Sequence, residues 1–457
     1  MINFNIVLNN NDLIDKYVDY ADLGTLTFRN IEFDEQLLWK EDESLKYGSK
    51  SITQINSIQI DDSTIIKIVF KNCKFVHEFI IVNNSVFTIE CNDCEFISSN
   101  NFAHSLLRYN DSNNKRVIFN RCDFKYFNIG DRYDIQNNLE AKICRFYLYG
   151  GTIENMTIQN IKLDSKLYFN RQDGDVENEL STKITTLIIQ NTIFKENFKL
   201  HHCNIEKVTI KNTDFVKQAD FYKSSFDNNT DIDFKALNFL GLTIFGHCRF
   251  TEKLIFTNVT FGNFVHFRNA IFNKGLDIDN VNIQKEINFL GVTGLDNVEN
   301  QDNTSQETYR IIKYNFQKIG NQIEANKYHF LELNAHRQVT WKKLKKNFSF
   351  HVFYYETQEL IKLLSEIVPS FIHWISSKYA QSWLLPVFWI MVVGWLSNCM
   401  ISDAKDLFNF TEIFKYVSII NFDQKLKDSS VIFLFNKISL GYLYYQFVSA
   451  LRKNTKK

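Results

Sequence analysis

A repeated motif of a small residue, any residue and a large apolar residue runs through the first three hundred residues of this chain. From Phe194 onward the large position recurs at steps of 10, 11 or 13 residues, and most steps are 11. A second apolar residue follows most of these positions after five or six residues. Neither the helical period of 3.6 nor the strand period of 2 fits this spacing. The large positions are Phe194, Ile205, Phe215, Phe226, Phe239, Phe250, Phe261, Phe272 and Ile283.

This spacing predicts a solenoid, in which a short strand followed by a bend is repeated and equivalent residues of successive coils stack. The large residue points into the axis. The residue two before it also points inward, because side chains alternate along a strand, but it lies near a corner where only a small side chain fits. We expect a structural core stack of Cys203, Ile205, Phe215, Phe226, Phe239, Cys248, Phe250, Phe261, Ala270, Phe272 and Ile283.

The scarcity of proline supports the same fold. Only 2 prolines occur in 457 residues, and both of them, Pro369 and Pro386, come late in the chain. Each backbone N–H of a solenoid pairs with a neighbouring coil, and proline would remove that donor. With 43 phenylalanines and 45% hydrophobic residues, the chain is too apolar for a disordered protein.

Runs such as Cys203-Asn204-Ile205 and Thr213-Asp214-Phe215 resemble the pentapeptide-repeat proteins. The resemblance covers residues 190–290 well and 60–165 with interruptions. It implies a mainly β chain folded as a right-handed, four-sided β-helix, which we place at 1–295 with irregular N-terminal coils. The steps of 11 rather than 10, the near-constant Phe and insertions at 97–117 and 165–185 depart from the family, and a more loosely sided β-helix fits them equally well.

Two polar groups in this region have the composition of metal sites. Cys91 and Cys94 form a close pair, but no second pair follows, and Cys94 already fits the small position of the repeat. His201, His202 and Cys203 are adjacent, yet neighbours on a strand point to opposite faces. We therefore predict structural roles for both groups and no metal site.

Acid–base chemistry is the other class considered. Asp277 and Asp279 share one strand face and could pair, although the outward positions of a solenoid are routinely polar. No phosphate-binding loop and no hydrolase motif occurs in the sequence. We predict no catalytic residue, no cofactor and no enzymatic activity.

The formal net charge of zero hides a difference between the two ends of the chain. Residues 342–457 hold 15 basic and 8 acidic residues, whereas residues 1–341 carry a mild acidic excess. Neither part has the charge density of a nucleic-acid surface or of a DNA mimic, so no nucleic-acid partner is expected. The N-terminus lacks a basic segment followed by an apolar one, which predicts an unexported domain with reduced cysteines.

Helical spacing replaces the repeat after an Asn/Asp-rich linker at 296–306. Apolar residues at steps of 3 and 4 from Tyr309 predict helices over 305–346, started by Ser305 and broken into a hairpin at Gly320. A helical cap on the last coil is the favoured interpretation. A self-association seam, in the manner of a coiled coil, is the alternative.

Residues 347–457 have the features of a membrane-associated helical region. Phe350, Phe353 and Tyr354 follow a lysine run and precede an amphipathic stretch that suits the headgroup layer. Residues 383–401 contain no charge and would span about 28 Å as a helix. Residues 430–451 form a second candidate span, which either crosses the membrane or lies on it, because they include Lys437.

These features predict a non-enzymatic scaffold or protein-binding module that presents a cytoplasmic β-helix. We expect it in the inner or plasma membrane, crossed once or twice, with an unidentified protein partner. The alternative is an oligomeric pore- or channel-like effector in a stress or defence response, gated by the β-helix. Trp383, Trp395 and Lys437 are the candidate membrane or pore residues; Lys437 should face the lumen of a pore and be replaceable by leucine in a simple anchor.

Overall fold

The computed structural model describes residues 2–3, 16, 18–21, 25–33, 37–40, 53–54, 67–76, 79–82, 88–101, 116–130, 139–141, 145–170, 180–296, 303–349, 357–401, 410–420, 426 and 429–455. Contacts between Cα atoms divide the chain into two compact units, Met1–Asn303 and Thr304–Lys457. We call them the β unit and the helical unit. The first is a long curled sheet of parallel strands, and the second is built of helices.

Four strand segments make one coil of the β unit. We number its faces on the segments 146–148 (face 1), 152–153 (face 2), 155–159 (face 3) and 161–163 (face 4), which pair with equivalent segments of neighbouring coils. Along face 1, Phe198, Ala219, Thr243, Val265 and Ile287 are successive register partners, so a coil holds 21 to 24 residues here. The sequence step of 11 is therefore half a coil.

All strand pairs are parallel in the described part of the chain except β2 with β3, and β5 pairs with β6 and β9 in a small separate sheet. The strands are β1 Ile2–Asn3, β2 Val18–Ala21, β3 Thr25–Arg29, β4 Ile31–Phe33, β5 Leu37–Lys40, β6 Thr53–Gln54, β7 Lys67–Lys71, β8 Lys74–Phe75, β9 Phe79–Val82, β10 Thr88–Asn92, β11 Glu95–Asn101, β12 Arg116–Gly130, β13 Leu139–Ala141, β14 Arg145–Leu163, β15 Leu167–Phe169, β16 Thr182–Phe194, β17 Phe198–Leu200, β18 Cys203–Phe215, β19 Ala219–Asp220, β20 Ser225–Phe226, β21 Ile232–Phe239, β22 Thr243–Ile244, β23 Arg249–Phe250, β24 Leu254–Phe261, β25 Val265–His266, β26 Ile271–Phe272, β27 Leu276–Ile283 and β28 Ile287–Asn288.

Columns of phenylalanine rings fill the axis. On face 2, Phe226, Phe250 and Phe272 stack with ring centroids 5.0 and 5.2 Å apart and nearly parallel planes. These distances follow from the spacing of about 4.8 Å between neighbouring strands. Of the core-stack residues named above, ten are at most 1% exposed, and Ile283 is half-buried because β27 is the last strand of its face among the described residues.

The small position of the motif has a polar reason as well as a steric one. At the corner between faces 1 and 2, Cys122 Sγ donates to the Cys91 carbonyl oxygen at 3.3 Å, and Cys248 Sγ donates to that of Phe221 at 2.8 Å. Ser224 does the same with its hydroxyl, at 2.6 Å from the Leu200 carbonyl. Cysteine, serine and threonine are small enough for the corner and supply the donor that a bent strand lacks.

Residues in the left-handed conformation make two corners of each coil. The residue before the small position has a positive φ in coil after coil, as at Asn72 (51°), His202 (47°) and Asn269 (57°). Asn212 and Asn258 do the same between faces 3 and 4. Asparagine adopts this conformation more readily than other residues with a Cβ atom, so the chain turns with little glycine and no proline.

Six described helices form the helical unit: α1 Gln306–Lys318, α2 Gln322–Ser349, α3 Thr357–Ser377, α4 Leu384–Ile401, α5 Phe410–Val417 and α6 Ser430–Thr455. Ser305 Oγ accepts from the Thr308 N–H at 3.0 Å and caps α1, and Gly320, with a φ of 77°, lies in the turn to α2. Glu332, 5% exposed on α2, accepts from Arg310 at 3.0 Å and from Lys313 at 2.7 Å on α1. This buried ion cluster joins the two helices into a hairpin.

Candidate membrane-embedded site

The polar candidates of the β unit are engaged in its own structure. The thiols of Cys91 and Cys94 are buried, and burial raises the pKa of the Cys91 thiol well above its usual value. His201 Nε2 lies 2.9 Å from Asp220 Oδ2, while Cys203 Sγ donates to the His201 carbonyl at 3.2 Å. Within the described ranges no group of three or more His, Cys, Asp or Glu side chains is arranged to hold a metal ion.

The carboxylates of β27 are also accounted for. Lys253 Nζ lies 3.1 Å from Asp277 Oδ2, and the Asp279 N–H donates to Asp277 Oδ1 at 3.2 Å. Asp277 is thus neutralised by a lysine of the preceding coil rather than paired with a second acid. Such cross-coil pairs are typical of the outer surface of a sheet.

The helical unit differs in that large apolar side chains face outward on four of its helices. The most exposed include Phe388 (58%), Leu434 (60%) and Ile438 (64%). Scattered exposed apolar residues are ordinary, but a soluble protein rarely exposes so many on neighbouring helices. The set on α3 to α6 is Val368, Phe371, Ile372, Ile375, Leu384, Val387, Phe388, Trp395, Leu396, Met400, Phe410, Phe414, Val431, Leu434, Phe435, Ile438, Tyr445 and Val448; we call it the apolar belt.

Polar side chains lie between the same helices. Ser397 and Asn398 on α4 and Asn436 on α6 are at most 2% exposed, and Asn436 Nδ2 donates to Ser397 Oγ at 2.8 Å. Nearer the other end of α4, Ser377 Oγ donates to Gln446 Oε1 at 2.9 Å. Hydrogen bonds of this kind join helices in membranes, where helix packing has no hydrophobic driving force.

The three residues predicted for the membrane do not form one site. Trp383 and Trp395 are 44% and 38% exposed, before and within α4. Lys437 is half-buried on α6, and its Nζ donates to the Ser418 carbonyl oxygen at 2.8 Å, just beyond the end of α5. The structure therefore gives Lys437 a contact within its own chain, a role not considered in the sequence analysis.

A short apolar core lies where α4, α5 and α6 meet. It consists of Ile390, Val393, Ile413, Val417, Leu440 and Leu443. Gly394 allows the close approach of α5, because a Cβ atom at this position would lie 2.5 Å from Val417 Cγ2. The helical spacing of 408–420 in the sequence was the only signal for α5, and nothing in that spacing indicates its partners.

A second polar cluster connects α2, α3 and the C-terminal part of α6. Lys453 Nζ donates to the Tyr379 carbonyl at 3.2 Å, and Asn326 Nδ2 donates to the Lys453 carbonyl at 3.4 Å. Burial, together with the charge of Lys453, lowers the pKa of both His329 and His373. These rings are therefore held neutral in the folded unit at neutral pH.

One described helix, Leu384–Ile401, is long and apolar enough to cross a membrane, and a third of that stretch is buried. The helix Ser430–Thr455 contains the second predicted span but is not among such helices. Phe350, Phe353 and Tyr354, predicted for the headgroup layer, lie outside the described residues.

Comparison with known proteins concerns the β unit. The family model of pentapeptide repeats, in nine copies, matches residues 234–282. Together with the curled sheet of parallel strands, this match supports a repeat β-helix. The match lies where the Phe columns are most regular. Neither a curated protein nor a solved structure matched the chain.

Proposed function

We propose that this chain is a non-enzymatic, membrane-anchored scaffold, whose helical unit enters the membrane and whose β unit binds a protein partner in the cytoplasm. The observation that carries the proposal is the inverted polarity of α4 and α6. Phe388 and Leu434 point outward while Ser397 and Asn436 are buried between the helices. Such an arrangement is unfavourable in water and favourable in lipid.

Orientation follows from the distribution of charge. Arg452 and Lys453 end α6, and basic residues next to a membrane helix are retained on the cytoplasmic side. If both α4 and α6 cross, the N-terminal β unit lies on the same side. We take the β-helix to be right-handed, in line with the repeat family, and its regular outer faces to be the partner surface.

Extraction of membranes tests the proposal. The full chain should stay in the membrane pellet after an alkaline carbonate wash, because an inserted apolar belt resists a treatment that removes peripheral proteins. Replacing Leu384, Phe388 and Leu396 together by serine should move most of the protein out of the pellet. The matched control replaces Leu240, Leu242 and Phe264, which are exposed apolar residues of the β unit, and should leave the distribution unchanged. Wild-type protein in the soluble fraction would refute membrane anchoring.

The pore-forming effector is the second candidate, and the polar side chains buried between α4 and α6 favour it. A pore needs polar groups inside a helical assembly, and Ser397 and Asn398 supply them. The contact of Lys437 with the Ser418 carbonyl argues against a lumenal role for this lysine. Dye-loaded liposomes should leak if the protein forms a pore. Retention of dye at every protein density tested, with the protein inserted, supports the scaffold instead.

A further inference from the structure

We propose that α5 is a re-entrant helix, which enters the membrane beside α4 and α6 and is held there by side chains of α6 bound to its C-terminal carbonyl groups. This inference rests on the proposed membrane insertion of the helical unit. It concerns the segment 410–418, to which the sequence assigned no contacts.

The packing of α5 places it against the middle of α4. Ile413 and Val417 pack in the same core as Ile390 and Val393, and the missing side chain of Gly394 makes room for Val417. Gly394 lies about 15 Å along α4 from Leu384, close to half the thickness of the hydrocarbon layer. If α4 crosses the membrane, the C-terminal end of α5 therefore lies well inside it.

A helix that ends at this depth leaves carbonyl groups without partners in its own backbone. Three such groups receive hydrogen bonds from α6. Asn436 Nδ2 donates to the Tyr416 carbonyl at 3.1 Å, Tyr444 Oη donates to that of Val417 at 3.3 Å, and Lys437 Nζ donates to that of Ser418 at 2.8 Å. Backbone that is not helical is tolerated at membrane depth only where its polar groups are satisfied in this way.

Lys437 also supplies the appropriate charge. The C-terminal end of a helix carries a partial negative charge, and a cation in contact with it is stabilised. The ammonium group, costly in an apolar layer by itself, is placed at the one helix end that α6 can reach from this position. Lys437 is thus a positioning residue for α5.

The outer face of α5 fits the same environment. Phe410 and Phe414 are 69% and 58% exposed and belong to the apolar belt. A helix lying in water would bury these rings, whereas a re-entrant helix presents them to lipid. Both flanks of α5 connect to the same ends of α4 and α6, so the segment enters and leaves on one side.

Fluorescence quenching in vesicles tests the inference with the full chain. In a Cys399→Ser background, a bimane label is attached to cysteine introduced at Phe414, at Phe388 as a lipid reference, or at Val216 of the β unit as a water reference. Nitroxide lipids should quench labels 414 and 388, and aqueous iodide should quench label 216 several-fold more strongly than label 414. If label 388 behaves like label 216, the proposed membrane function is wrong. If label 388 is lipid-exposed and label 414 is quenched by iodide, only the re-entrant helix is wrong.

Substitutions at Lys437 test the clamp. Lys437→Met removes the ammonium group at similar length and should raise iodide quenching of label 414 several-fold, whereas Lys437→Arg should keep it low. Tyr444→Phe removes one hydroxyl from a folded protein and should give a smaller rise. Ile438→Ala, on the exposed face of α6, is the matched control and should change nothing. Unchanged quenching in both Lys437→Met and Tyr444→Phe would overturn the role assigned to α6.

Discussion

The β unit and the helical unit bury opposite kinds of side chain. In the β unit, phenylalanine columns fill the axis, and the outer surface carries pairs such as Lys253 with Asp277. In the helical unit, Asn436 and Ser397 are inside and rings such as Phe388 are outside. One chain thus contains a unit organised for water and a unit organised for lipid.

The contrast teaches where each unit obtains its stability. Coils of the β unit gain from the transfer of aromatic surface out of water and from backbone bonds to their neighbours. The helices α4 to α6 have no such gain in lipid and depend on close packing, as at Gly394, and on interhelical hydrogen bonds. Changes in ring size and changes in polarity should therefore act differently in the two units.

A matched pair of phenylalanines gives the largest expected effect. Phe250→Ala, in the stack of face 2, should lower the free energy of unfolding of the β unit by about 3–5 kcal/mol, because it leaves a cavity in a packed column. Phe388→Ala, on the apolar belt, should change the stability of the helical unit by less than about 1 kcal/mol. Native-state hydrogen exchange on the full chain reads both units separately. Equal losses at the two sites would contradict the inverted polarity of the helical unit.

Breaking the α1–α2 ion cluster should come next. Burial opposes ionisation of Glu332, but the hydrogen bonds from Lys313 and Arg310 outweigh it and lower the pKa of the carboxyl group. Glu332→Gln leaves two cations without their partner and should cost about 3 kcal/mol in the helical unit, measured as loss of exchange protection in α1 and α2. Glu307→Gln, at the exposed pair with Arg310, is the control and should cost well under about 1 kcal/mol. A small effect of Glu332→Gln would show that apolar packing alone holds the hairpin.

Corner geometry should have an intermediate effect in the β unit. Asn258 is exposed and has a φ of 55°. Asn258→Val should destabilise the β unit by about 1–2 kcal/mol, because a branched side chain clashes in the left-handed conformation. Asn258→Gly should be nearly neutral, since glycine adopts this conformation freely. If valine is tolerated as well as glycine, the corners do not set the choice of asparagine.

Acid should act weakly, and only on the helical unit. Burial and the charge of Lys453 lower the pKa of His329 and His373, so the unfolded chain binds these protons at a higher pH than the folded chain does. The stability that neutral rings confer is fully present above the usual histidine pKa of about 6.5 and is lost as the pH falls below it. The melting midpoint of the helical unit should fall between pH 7.5 and 5.5, and His373→Gln should reduce the change. A midpoint independent of pH would show that these rings are freely hydrated.

Much of the β unit can be predicted from the sequence because one motif specifies it coil by coil. The step of 11 in the Phe positions predicts inward columns, and the structure has them at Phe226, Phe250 and Phe272. The number of sides stayed open, because a step of 11 fits any coil of two equal halves. The left-handed residue before each small position was overlooked, although its recurrence as Asn, Asp or His was the available signal.

The helical unit was less predictable for a physical reason. Helical spacing shows which residues share a face, but not which helix that face meets. The pairs Asn436 with Ser397 and Lys437 with Ser418 join residues of different helices. A single polar residue in an apolar stretch indicates only that some partner exists.

The register of the β unit also has a consequence for synthesis. Partners on one face are 21 to 24 residues apart between Phe198 and Ile287, so every contact of a coil is made with sequence that immediately precedes or follows it. A coil can dock on its predecessor as soon as about one more coil of chain has left the ribosome. The β unit can therefore grow like a spring being wound, finishing most of its structure before the membrane-directed residues are made.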